Sequence, residues 1–410
     1  MRRLRALRLA AVVAVGVASS ATAACGSTAT SSRHPGPATP CPSGQGVNHC
    51  ATSNSPTAPT PTVSANAAAV LFLSVNVPEP PANSGTYFYG ITCVSTTECW
   101  AVGTTENTTQ ALIEHFDGTS WKIAVQDPNA FYFYGIACVA ADNCWAAGTG
   151  SETGGRLPLP AVMHLTGQVW TPVATPPVNE GGFLSLTCPS PNECWAAGSQ
   201  GSGYVQPSLL EHYTNGAWTI TETPSLSGNS ILEGVACPST VDCWAVGNPD
   251  TPGPALIEHY DGTGWTPAAS PSIGALQSGG DAGGDLKSVA CTSATDCWAV
   301  GDVTSHGDKV SQFLAEHWDG NAWAVVPTPT PPGQGQLASL NSVSCASATD
   351  CWAVGGQVIE QYTGSSWALI NAPWFNKGSA LAITCLSSGD CWAVGSSRTA
   401  GPFAATNGPT

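Results

Sequence analysis

Charged side chains are scarce in this sequence, at 9 % of 410 residues, where about a quarter is usual for a soluble domain. Solvent-facing helices draw on Lys, Glu and Arg for their outer faces, so the shortage excludes all-α and α/β architectures. Basic residues are scarcer still. There are 11, and five of them (Arg2, Arg3, Arg5, Arg8 and Arg33) precede the first acidic residue, Glu79. From Glu79 onward six basic residues face 27 acidic ones, so this part carries −21 rather than the −16 of the whole chain. Phosphate backbones are bound through clustered Lys and Arg, which excludes nucleic acid as a general partner.

What is present begins with an export pattern. The basic start is followed by an apolar run, Leu9–Ala18, and then by small residues up to Ala24. This is the three-part order of a secretory signal, and the run is too short for the roughly 20 residues of a membrane span. Residues 1–24 are therefore expected to be a signal peptide. Two ends fit: cleavage after Ala21-Thr22-Ala23, or a lipobox-like Ala23-Ala24-Cys25 in which Cys25 carries a lipid. Cysteine arithmetic favours the second. Fourteen cysteines form seven C-x5-C pairs and Cys41 can pair with Cys50, which leaves Cys25 over. Residues 25–64, rich in Ser, Thr, Pro and Ala, lack the apolar side chains needed for order and read as a disordered stalk. The expected location is extracytoplasmic, as a surface lipoprotein or a secreted protein, with membrane contact only through the lipid.

The rest of the chain repeats itself with a period of about fifty residues. GITCVSTTECWAVG from Gly90 leads to ALIEHFDGTSW, and GVACPSTVDCWAVG from Gly234 leads to ALIEHYDGTGW. The Cys-Trp pair occurs seven times, at Trp100, Trp145, Trp195, Trp244, Trp298, Trp352 and Trp392. A second Trp follows only six times, at Trp121, Trp170, Trp218, Trp265, Trp323 and Trp367. Each unit reads as four strands: one ending at the first Cys, one starting at Cys-Trp, an alternating LIEHY-like strand, and a last strand after an Asp-Gly or Asn-Gly turn. Four-stranded units at this period indicate propeller blades. The seventh unit stops at Thr410 before its fourth strand, whereas residues 68–78, AAVLFLSVNVP, form an unattached strand at the other end. The expected fold is all-β: a seven-bladed propeller over residues 65–410, closed by an N-terminal strand.

The pattern GITC…CWAVG…DGTSW resembles the Asp-box (BNR) propeller repeats of sialidase-like and photosystem-assembly-factor-like proteins. The paired cysteines and the compressed Asp-Gly-x-x-Trp turn depart from those repeats. The resemblance implies the fold at blade level, and an assembly factor for another envelope protein by analogy.

In an exported chain the pairs Cys93/Cys99, Cys138/Cys144, Cys188/Cys194, Cys237/Cys243, Cys291/Cys297, Cys345/Cys351 and Cys385/Cys391 are expected to be disulfides, each stapling the hairpin between strands one and two. Spread around a ring, they do not converge as metal ligands would, and neither a metal nor a cofactor is expected. The Glu-His pairs at 114–115, 211–212, 258–259 and 316–317 recur at one blade position, which marks them as blade-building groups. A functional site should break the repeat. The 2–3 and 4–1 loops vary in length and gather on one face, which brings in Arg156, Tyr204, Asp281, Asp285, Asp302, His306, Asp308, Lys309, Trp374 and Lys377.

The sharpest variation lies four residues before each first Cys, at Tyr89, Tyr134, Leu184, Glu233, Lys287, Asn341 and Leu381. This position is expected near the mouth of the central channel. There Tyr89, Tyr134, Glu233, Lys287 and Asn341 would make a polar-aromatic pocket for a glycan or a peptide; alternatively, Glu233 and Lys287 form only an ion pair. The functional expectation is a non-catalytic binding or scaffold propeller for a cell-envelope glycan or protein. The competing one is a glycan-active hydrolase or lyase using Glu233 with Asp281 or Asp285, since such chemistry needs two carboxyls at a set separation.

Overall fold

The repeat unit folds as a disulfide-stapled hairpin carrying two further strands. In the first blade, β2 (Thr86–Ser95) turns into β3 (Glu98–Thr105), which pairs with β4 (Gln110–Phe116) and then β5 (Trp121–Asp127). The first strand runs two residues past Cys93 rather than ending there, because Cys93 and Cys99 face each other across the ladder and Ser95 still pairs with Glu98. At the outer turn, Asp117 Oδ1 accepts the N–H groups of Thr119 and Ser120, each at 3.0 Å, while Gly118 takes a φ of +85° that favours glycine.

All seven C-x5-C pairs are disulfides. They differ from simple hairpin staples in one respect. The second cysteine of each pair, Cys99, Cys144, Cys194, Cys243, Cys297, Cys351 or Cys391, is fully buried, and each of the seven belongs to a different apolar cluster of the ring. Each is the second residue of its strand, and the run from it to the glycine of Cys-Trp-Ala-x-Gly is covered on both faces. These cysteines are core groups.

This computed structural model describes residues from Phe72 to Gly408, apart from 79–84, 106–108, 128–129, 151–157, 202–205, 225–228, 250–251, 274–281, 306–310, 330–338, 371–377 and 398–400. The expected signal peptide and stalk, with Cys25, Cys41 and Cys50, lie outside them, as do Arg156, Tyr204, Asp281, His306, Asp308, Lys309, Trp374 and Lys377.

Seven four-stranded antiparallel sheets make up the described part, and the first strands of successive blades touch in a closed cycle. The chain is a seven-bladed β-propeller. Its seventh blade is composite: β26 (Gly378–Ser387), β27 (Asp390–Ser397) and β28 (Gly401–Thr406) are joined by β1 (Leu73–Val75), with Leu73 opposite Thr406. The N-terminal strand thus covers the edge that the last unit leaves open.

The core is divided among the seven blade interfaces, each with its own apolar cluster. The Cys-Trp tryptophan of one blade meets the second tryptophan of the next edge to face, as Trp145 does Trp218 at 5.7 Å and Trp298 does Trp367 at 5.1 Å between centroids. This is a favoured geometry for aromatic pairs. At the closure, Trp352 instead meets Phe72, T-shaped at 5.6 Å. Leu73 opposite Thr406 matches Ala368 opposite Gln361 in blade six, so Phe72 stands at the register of Trp367. Phe72 is the missing seventh member of the aromatic ring.

The Glu-His pairs have a structural role on both faces of the third strand. Each histidine stacks on the Cys-Trp tryptophan of its own blade, His212 on Trp195 at 3.9 Å, and bonds the residue before the second Cys, His212 Nε2 to Glu193 at 3.0 Å. The glutamates point the other way and are fully buried: Glu114, Glu211, Glu258 and Glu316, with Glu360 in blade six. Met163 and Ala405 hold the same position in blades two and seven, opposite Ala146 and Ala393.

The glycine closing each Cys-Trp-Ala-x-Gly run is set by close backbone approach. A Cβ on Gly301 would lie 1.9 Å from the Asp285 carbonyl oxygen, and the equivalent glycines of the other blades meet the same obstacle. Gly301→Ala should therefore cost more than about 3 kcal/mol, at the severe end for one substitution. Chemical denaturation of the single variant checks this.

Candidate functional site

The seven variable positions are where the first strands break register. In blade one Phe88 pairs with Gly103 and Gly90 with Val102, which makes Tyr89 the extra residue of a β-bulge. The same break falls at Tyr134, Leu184, Glu233, Lys287 and Leu381. In blade six the strand starts just after the equivalent Asn341. A bulge re-aims its side chain and releases it from cross-strand packing, which explains why the variation is sharpest at this position. All seven side chains line one axial cavity of about 120 Å³. Its wall is tight because the following residue is small: a Cβ on Gly90 would lie 2.6 Å from the Tyr134 carbonyl oxygen. Ser185, Ser288 and Ser342 use the same slot to accept an N–H from the next blade, at 3.1–3.2 Å.

The cavity is asymmetric. Tyr89 and Tyr134 lie 5.0 Å apart between centroids on blades one and two. On blades four and five, Lys287 Nζ bonds Glu233 at 3.0 Å and also bonds Asp285. Asp302 pairs with Asp285 across the hairpin. Burial by itself would lower the Lys287 ammonium, but the carboxylates of Asp285, Glu233 and Asp302 outweigh it and hold it above its ordinary value. Burial and the neighbouring Asp285 push Asp302 up. Lys287→Met leaves these carboxylates without their cation and should destabilise the ring by about 3–5 kcal/mol; Lys287→Arg should restore most of that in the same urea titration.

Of the residues expected on the variable loops, Asp285 and Asp302 sit instead inside the first two strands of blade five. That hairpin continues past the bulge to Ala282 and Ser305, so residues that read as loop are paired. Among the described residues no group of three or more His, Cys, Asp or Glu is placed to hold a metal ion. A tyrosine ladder beside the cavity does not follow from the repeat. Tyr87 stacks on Tyr89 at 6.3 Å and Tyr132 on Tyr134 at 5.7 Å. Its signal was the Y-x-Y spacing in both units.

No protein-family model matches the sequence, and no curated protein matches it either. Solved structures do. YCF48 bound to a D1 peptide superposes with a TM-score of 0.52 at 12 % identity, over 82 % of this chain and 94 % of that one. YCF48 from Cyanidioschyzon merolae gives 0.53 at 16 %, over 82 % and 98 %. The likeness is one of fold. A GH74 xyloglucanase from Xanthomonas campestris reaches 0.54 at 13 %, with 81 % of this chain matched to 55 % of the enzyme. One propeller architecture thus carries a peptide-bound protein and a glycoside hydrolase, and the site must decide between such functions. Seven disulfides fit an oxidising, extracytoplasmic environment. Among the described residues no helix is long and apolar enough to cross a membrane.

Proposed function

We propose that this is a non-catalytic binding propeller of the cell envelope, held at the surface by a lipid on Cys25, which grips a protein partner at its channel mouth. The observation that carries this reading is the gathering of seven equivalent residues of five different types, one per blade and six of them at bulges, around a single axial cavity. The residues that follow them are small in every blade, whereas these seven differ in charge, polarity and size. A protein ligand is favoured by the peptide bound to the YCF48 neighbour and by the small cavity, which falls below the roughly 300 Å³ of ordinary ligand pockets. Paired-carboxylate chemistry needs two carboxyls in different environments, whereas Glu233 and Asp285 share one ammonium. Asp281 lies outside the described residues.

Site-directed photocrosslinking in the producing cell tests this reading. Benzoylphenylalanine in place of Tyr89 should give a discrete protein adduct, and the same group in place of Thr97, on the disulfide-loop face, should not. Equal adducts from both positions, or a glycan-cleaving activity lost in Glu233→Gln, would overturn it.

A further inference from the structure

The wall of the axial cavity narrows the chemistry of its occupant, an inference that rests on the binding role proposed above. One side is aromatic. The faces of Tyr89 and Tyr134 are extended by Tyr87 and Tyr132, each stacked two residues nearer the start of its strand. Alternate residues of a strand lie about 7 Å apart, so the ladder runs from the cavity toward the face where the 4–1 loops emerge. The other side is acidic. Glu233 and Lys287 line the cavity, and Asp285, two residues before Lys287 and outside the lining, shares the Lys287 ammonium with Glu233, which leaves a surplus of negative charge. Asp285 Oδ1 is buried and has no hydrogen-bond partner among the described residues. Beyond the cavity, the part of the chain from Glu79 onward carries −21.

These features select by charge and by size. An anion would meet a lysine already held by two carboxylates. A cation meets the carboxylate surplus together with aromatic faces, whose quadrupole attracts positive charge, and the field of an acidic ring speeds its arrival. A volume of about 120 Å³ suits the head of one side chain rather than a whole sugar or cofactor. We propose that the cavity receives the cationic head of a lysine or arginine side chain from the protein partner, set against the faces of Tyr89 and Tyr134 beside the Glu233 carboxylate.

Calorimetric titration of the full chain with pentalysine, fully acetylated pentalysine and pentaglutamate tests the proposal. Pentalysine should bind, the acetylated form at least roughly ten-fold more weakly, and pentaglutamate not at all. Because an acidic ring attracts polycations by charge alone, the decisive arm keeps the charge constant. Tyr89→Ala/Tyr134→Ala should lose roughly ten-fold in pentalysine affinity, while Tyr89→Phe/Tyr134→Phe, which keeps the faces, should bind as the unaltered chain does. If the alanine pair does not fold, Tyr87→Ala/Tyr132→Ala at the outer end of the ladder should show a loss in the same direction. Unchanged pentalysine binding by the folded alanine variants would overturn the proposal, as would no binding by the unaltered chain. A protein adduct from position 89 in a chain that ignores pentalysine would leave the binding role standing and remove only this inference.

Discussion

A chain that starts at Glu79 should lose the sharp, cooperative melting of the intact protein. Without Leu73–Val75 the seventh blade keeps only three strands, and β28 offers an unpaired edge to solvent and to other chains. Trp352 also loses its T-shaped partner Phe72. A single substitution isolates the second effect. Phe72 is 2 % exposed, so Phe72→Ala should cost about 3–5 kcal/mol. Phe72→Trp should be far milder, because six blades carry tryptophan at that register. Thermal melts of the three variants check this order. An alanine variant as stable as the unaltered chain would show that closure does not depend on that contact.

The second large effect is an alkaline loss of stability. Burial pushes Glu114, Glu211, Glu258, Glu316 and Glu360 from an ordinary 4.5 up to about 8. Four of them have no hydrogen-bond partner among the described residues, and Glu316 accepts one from Ser270 at 3.0 Å. A folded value above the unfolded one gives stability that is complete below about pH 4.5 and is lost as pH rises through about 8. Even if burial made each glutamate only a ten-fold weaker acid, at about 1.4 kcal/mol apiece, the five together would reach about 7 kcal/mol. That is comparable with the whole stability of many domains. The ring should therefore melt at its highest temperature in mildly acidic buffer and lose stability steadily toward pH 9. Glu258→Met, copying Met163 of blade two, should flatten that slope and raise the melting temperature most at high pH. A melting temperature that holds from pH 5 to pH 9 would contradict the protonated, buried state of these groups.

Much of this architecture could be read from the chain. The Cys-Trp repeat counted the blades, and the surplus strand at residues 68–78 marked the closure. The variable position was legible as an exception to the repeat; its cause was not, because a bulge is a backbone event that leaves no residue type behind. The ion pair considered for Glu233 and Lys287 is present, with Asp285 as a third member. The buried glutamates were hidden by the strand period. In LIEHY the alternation implies one wet face, whereas a blade is packed on both faces, so Glu258 and His259 are covered by different neighbours. Asp285 and Asp302 were hidden for a related reason: polar residues near a hairpin end read as loop, yet this hairpin is the longest in the ring.

Each disulfide joins cysteines only six positions apart and never links one blade to another. Every bond can therefore form within its own hairpin, independently of the rest of the blade. Oxidation fixes seven local pieces and leaves their circular arrangement uncommitted. The pairing of β1 with β28 bridges nearly the whole propeller and, among the described residues, is held by hydrogen bonds and apolar contact rather than a disulfide. The covalent bonds protect the parts, while the circle itself remains reversible.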